Sequence, residues 1–100
     1  MDNIKVTINY RGKKSSINQL TKNLRDFDFE FEKVDPTHLQ MSTEYDNTTS
    51  VGRSILNDHE MLLGQLCHTT AYFGQKYGLE WEAVILYNDS GQLTEEVVTL

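Results

Sequence analysis

Residues 56–87 constrain the chain more than any other stretch, because they read as one long amphipathic helix running into one apolar strand. The helix start is marked at Asn57-Asp58-His59-Glu60, where Asn57 can cap the first free backbone N–H groups and Glu60 can complete a capping box. Leu56 and Met61 are placed on either side for a hydrophobic staple. Leu62, Leu66, Thr69, Phe73 and Tyr77 then recur at threes and fours, which predicts a helix over 58–77. Gly78 can take the left-handed conformation that closes such a helix. The next nine residues, 79–87, open with period-two alternation, the mark of a strand.

The chain before this stretch follows the same logic. Ile4, Val6, Ile8 and Tyr10 alternate with Lys5, Thr7 and Asn9, a half-buried strand. Arg11-Gly12-Lys13-Lys14 breaks it, and its basic residues read as a solvated loop that lacks the phosphate-loop pattern. Ser16 with Gln19 offers a capping box for a short helix ending near Asp26, with Ile17, Leu20 and Leu24 on one stripe. Its narrow apolar face requires a sheet beneath it. A second strand spans 27–34, with Phe27, Phe29 and Phe31 toward the core and Asp28, Glu30 and Glu32 on the other side. A one-residue slip would bury three acids, so the register is strongly specified. Asp35-Pro36 turns the chain into a third strand through Leu39, Met41, Thr43 and Tyr45. Residues 46–54 read as a polar loop. After Asn88-Asp89-Ser90-Gly91, a turn, residues 90–100 form either a tail or a short extra strand, and the tail is the preferred reading.

The order β-α-β-β-α-β predicts an α+β, ferredoxin-like two-layer sandwich: a four-stranded antiparallel sheet, spatial order 4-1-3-2, with two helices on one face. One hundred residues make a single domain, with an ordered core over about 3–89. The other face of that sheet would stay partly open, with Thr7, Glu30, Ser42 and Glu82 on it and Val84 and Leu86 adding apolar area.

The net charge of −6 argues against direct nucleic-acid binding and against an anionic membrane. No apolar run is long enough to span a bilayer, and the N-terminus has no secretory pattern. A lone cysteine, Cys67, fits a reducing, cytoplasmic setting. Cys67 and His68 point about 100° apart on a helix, so they make no nucleophile–base pair. His59 and His68 miss the i, i+4 spacing of metal ligands, and His38 lies in a turn. Neither a catalytic residue, a metal site nor a cofactor is therefore expected. A stripe of small residues, Gly64, Cys67, Ala71 and Gly74, would let another backbone approach the long helix. It reads as tight packing within the fold or as a homodimer contact.

Two segments carry a family likeness. Residues 26–36, Asp26-Phe27-Asp28-Phe29-Glu30-Phe31-Glu32-Lys33-Val34-Asp35-Pro36, and residues 72–82, Tyr72-Phe73-Gly74-Gln75-Lys76-Tyr77-Gly78-Leu79-Glu80-Trp81-Glu82, resemble the RraB-type inhibitors of ribonuclease E. The resemblance implies a small acidic ferredoxin-like protein that acts by binding another protein, and it carries over no catalytic residue.

The expectation that results is a non-enzymatic regulator or inhibitor of a protein with a basic surface, such as a nuclease or another nucleic-acid-processing enzyme. Asp28, Glu30, Glu32, Glu80 and Glu82 are its partner-binding residues. The alternatives are a small-molecule binder or enzyme using the helix–sheet cleft near His59, His68 or Tyr87, and a dimeric structural module.

Overall fold

The computed structural model describes residues 2–24 and 30–99, the side chain of Leu63 excepted. The elements are β1 (Asn3–Arg11), α1 (Lys14–Asn23), β2 (Glu30–Asp35), β3 (His38–Asp46), α2 (Ser50–Asn57), α3 (His59–Tyr77), β4 (Glu80–Asp89) and β5 (Gln92–Thr99). The strands form one antiparallel sheet in the order β2-β3-β1-β4-β5. This overturns the expected ferredoxin-like sandwich of four strands and two helices, since the described residues hold a fifth strand and a third helix.

Both additions lie in polar stretches. Within the expected loop, Thr49 caps α2 by accepting a hydrogen bond from the Gly52 N–H at 3.0 Å. A Cβ at Gly52 would stand 2.0 Å from the Asp46 carbonyl oxygen, so only glycine lets the helix begin this close to the end of β3. Asn57 ends α2 and does not cap the long helix. Asp58 does, accepting from the Met61 N–H at 3.4 Å. Gly78 closes α3 at φ 66°, ψ 39°, in the left-handed region expected for it. At the other end of the chain, Ser90 and Gly91 both take positive φ, 53° and 86°, which matches the twist of a two-residue hairpin. The chain therefore returns along β4, from Asp89↔Gln92 to Glu82↔Thr99, and the preferred reading of a tail is replaced by a strand.

β1 is the centre of the fold, paired on both sides over its full length. Its even residues Ile4, Val6, Ile8 and Tyr10 face the helices and are buried. Ile17 and Leu20 of α1, Leu24 beyond it, Leu62 and Leu66 of α3, Leu39 and Met41 of β3, and Trp81, Ala83 and Ile85 of β4 close over them. Each fully buried aliphatic or aromatic side chain contributes roughly 1.5–3 kcal/mol relative to exposure. The Tyr10 hydroxyl donates to the Thr70 carbonyl at 3.2 Å and so ties β1 to α3. Burial pushes its pKa up to about 12.

Phe27 and Phe29, expected in the core, lie outside the described residues. Phe31 is described and is not core: it is 40% exposed, on a marginal strand whose six residues are all exposed. α1 begins at Lys14, before Ser16, and Lys13 at its cap makes no side-chain bond, so the expected Ser16 capping box does not start it.

Candidate functional site

The helices all pack on one face of the sheet, and the opposite face carries the candidate site. Side chains alternate along a strand, so Lys5, Thr7, Asn9 and Arg11 of β1 project away from the helices. The register continues them into cross-strand rows. Glu30, Ser42, Thr7, Val84 and Val97 form one row across all five strands. Glu32, Gln40, Asn9, Glu82 and Thr99 form the next. Glu44, Lys5, Leu86 and Glu95 lie on one flank, and Asp35, His38, Arg11 and Glu80 on the other.

The two halves of this face differ. Toward β2 it is polar and acidic, and a depression of about 440 Å³ there is bordered by Lys5, Glu30, Ser42 and Glu44. Toward β5 apolar side chains stand among Glu80, Glu82 and Glu95. Val84 and Leu86 are half-buried, while Leu93 and Val97 are 62% and 52% exposed. Between the halves Asn9 is buried, its Oδ1 taking His38 Nε2 at 2.8 Å and Gln40 Nε2 at 3.2 Å. This clamp stiffens the middle of the face. At its corner, the Thr37 hydroxyl and N–H both donate to Asp35 Oδ1 at 2.8 Å and hold that carboxyl below the usual range.

Of the sequence-derived partner residues, Asp28 lies outside the described residues. Glu30, Glu32, Glu80 and Glu82 all stand on the helix-free face. They do not form one cluster. β3 and β1 lie between the pairs, three strand spacings or about 14 Å at 4.7–4.9 Å each. The residues of the small stripe have different surroundings within the chain. At Gly74 a Cβ would meet Trp81 Cδ1 at 2.7 Å, so this glycine seats the indole, whereas Gly64 is exposed with nothing near it. Cys67 and Ala71 are half-buried. Trp81 Nε1 is buried without a hydrogen-bond partner among the described residues.

Sequence reasoning missed Leu93 and Val97. The local signal was the two-residue Ser90-Gly91 turn, since Glu95-Glu96 breaks the apolar alternation that follows it. It also did not anticipate the exposed aromatic surface of α3. There Tyr72 meets the Phe73 ring edge-on at 5.5 Å, and Lys76 Nζ lies 5.7 Å from the Tyr72 ring centre.

A cavity of about 220 Å³ lies between helices and sheet, walled by Ile8, Met41, Ile55, Leu66 and Phe73, with Gln65 and Thr69 also lining it. Among the described residues His59, His68 and Tyr87, expected near such a cleft, do not line it, and neither does any carboxylate, lysine or cysteine. Tyr87 instead donates to Glu96 Oε2 at 3.1 Å and packs edge-on against His59. Burial, followed by the bond and charge of Glu96, pushes its pKa up to about 12. Among the described residues no three of His, Cys, Asp and Glu are grouped so as to hold a metal ion. No helix there is long and apolar enough to cross a membrane. Compared with protein-family models, curated proteins and solved structures, the chain matches none.

Proposed function

We propose that this chain is a small acidic, non-enzymatic binding protein that docks its helix-free sheet face on a basic surface of another protein, and so regulates or inhibits it. One observation carries the reading: a single open face, five strands wide, sets exposed apolar side chains (Leu93, Val97) beside carboxylates at Glu30, Glu32, Glu44, Glu82 and Glu95. An apolar strip with a charged surround has the make-up of an interface. Desolvating the strip supplies affinity, and the charges supply orientation and association rate. Nucleic-acid-processing enzymes, nucleases among them, present basic substrate surfaces of the complementary sign, and the likeness to ribonuclease E inhibitors supports that partner class. The proposed setting is cytoplasmic, in keeping with the lone Cys67.

The test is affinity capture with the wild-type chain and with a Glu30→Lys/Glu32→Lys/Glu82→Lys variant, at low and high salt. A basic partner should be retained by the wild type, lost by the variant and weakened by salt. A partner retained equally by both chains would overturn the assignment of this face.

A further inference from the structure

The two margins of the sheet are built differently. β2 is guarded: its register breaks between Lys33 and Asp35, Pro36 follows, and acids alternate along it. β5 pairs with β4 through eight consecutive residues without a bulge, and it contains neither proline nor lysine. Among the described residues nothing pairs with its outer side. In a two-residue hairpin the closing pair is hydrogen-bonded, and bonded pairs then alternate. Here those are Asp89 with Gln92, Tyr87 with Thr94, Ile85 with Glu96 and Ala83 with Val98. The backbone N–H and C=O groups of Leu93, Glu95 and Val97 therefore point outward. Their side chains all lie on the helix-free face, apolar, acidic, apolar in order.

We propose that the outer edge of β5 takes up an extended segment of a basic protein as a sixth strand, with an apolar residue opposite Leu93, a lysine or arginine opposite Glu95 and an apolar residue opposite Val97. Main-chain bonds to Leu93, Glu95 and Val97 hold the segment, and the side-chain pattern selects it. Glu96, on the other side of the strand, adds a second acid at the same level. A second copy of this chain is the wrong occupant. Antiparallel self-pairing centred on the outward residues of β5 sets Glu95 of one copy directly against Glu95 of the other, between two Leu93–Val97 pairs, and like charges directly opposite destabilise a pair. The inference rests on the reading of the chain as a protein-binding module, but it concerns the edge and not the face.

The probe is a synthetic peptide with the core Val-Lys-Lys-Lys-Val, which presents the same pattern in either direction, and its control carries glutamates in place of the lysines. On the wild-type chain, saturating peptide should slow amide exchange at Leu93, Glu95 and Val97 at least tenfold, and the control should not. Val97→Pro removes an outward N–H without touching the bonds to β4, and should cut affinity at least tenfold while the core amide spectrum is retained. Glu95→Lys should reverse the preference between the two peptides. Protection absent from β5, affinity in Val97→Pro within twofold of wild type, or a doubled solution mass without peptide would each overturn the proposal. The face and the edge fail separately. If the Glu30→Lys/Glu32→Lys/Glu82→Lys variant keeps peptide binding and every partner, the face reading falls and the edge stands. If that variant loses partners while β5 is never protected, the edge falls and the face stands.

Discussion

Adding one methyl group at each of two glycines of α3 should move stability in opposite directions. Gly64 is exposed, and a Cβ built on it finds nothing within 4 Å. Alanine there gains the helix-propensity difference, about 0.8–1 kcal/mol, with nothing opposing it. Gly74 has the same propensity to gain, but its Cβ would lie 2.7 Å from Trp81 Cδ1 and 3.2 Å from the Leu79 carbonyl oxygen. Neither neighbour yields easily, because the indole is buried and the carbonyl belongs to the main chain. Overpacking of this kind costs about 1–3 kcal/mol, so Gly74→Ala ends destabilised by up to about 2 kcal/mol net. In a domain of this size about 1 kcal/mol corresponds to 4–8 °C in Tm. Calorimetry at matched concentration should therefore show Gly64→Ala melting about 4–8 °C above wild type and Gly74→Ala below it, with an altered Trp81 emission. Equal Tm gains in both would refute the seating of Trp81 on Gly74. A loss of stability in Gly64→Ala together with a fall in solution mass would instead restore the small-residue stripe as a dimer contact.

Two further outcomes follow from the same structure. Tyr10 titrates at about 12 in the fold against 10.0 ordinarily, so the unfolded chain gives up this proton first as pH rises. Stability should fall through that window by roughly 1.4 kcal/mol per pH unit, at most about 2–3 kcal/mol in all. Chemical denaturation of Tyr10→Phe should show a shallower alkaline fall, at a neutral-pH cost of about 0.5–1.5 kcal/mol for the lost bond to Thr70. Thr49→Ala removes the cap of α2 and should cost about 0.5–2 kcal/mol, with amide exchange accelerating in α2 before the rest of the chain.

The elements that could be read from the sequence were those whose own residues determine them. β1, β3 and β4 follow from alternation that one buried face enforces, and the end of α3 follows from a glycine at positive φ. α2 escaped because its eight residues include Gly52 and four polar side chains, and its reason to form is tertiary: Gly52 against Asp46, and Ile55 and Leu56 against the core. β5 escaped because Glu95-Glu96 interrupts the apolar signal on both faces at once. The candidate site divides in the same way. Parity alone placed Glu30, Glu32, Glu80 and Glu82 on one side, but their separation depends on strand order. The apolar strip, Leu93 and Val97, exists only once β5 is paired. The contrast between Gly64 and Gly74 lies in Trp81, a neighbour that helical spacing does not reveal.

The most direct test is residue-resolved chemical-shift mapping on the labelled chain bound to its captured basic partner. Docking through the helix-free face should bring shift changes to Thr7, Val84 and Leu86 and to the side chains of Leu93 and Val97, and leave Tyr72 and Lys76 of α3 unchanged. Changes confined to α3 or to the walls of the internal cavity, with that face unaffected, would contradict it.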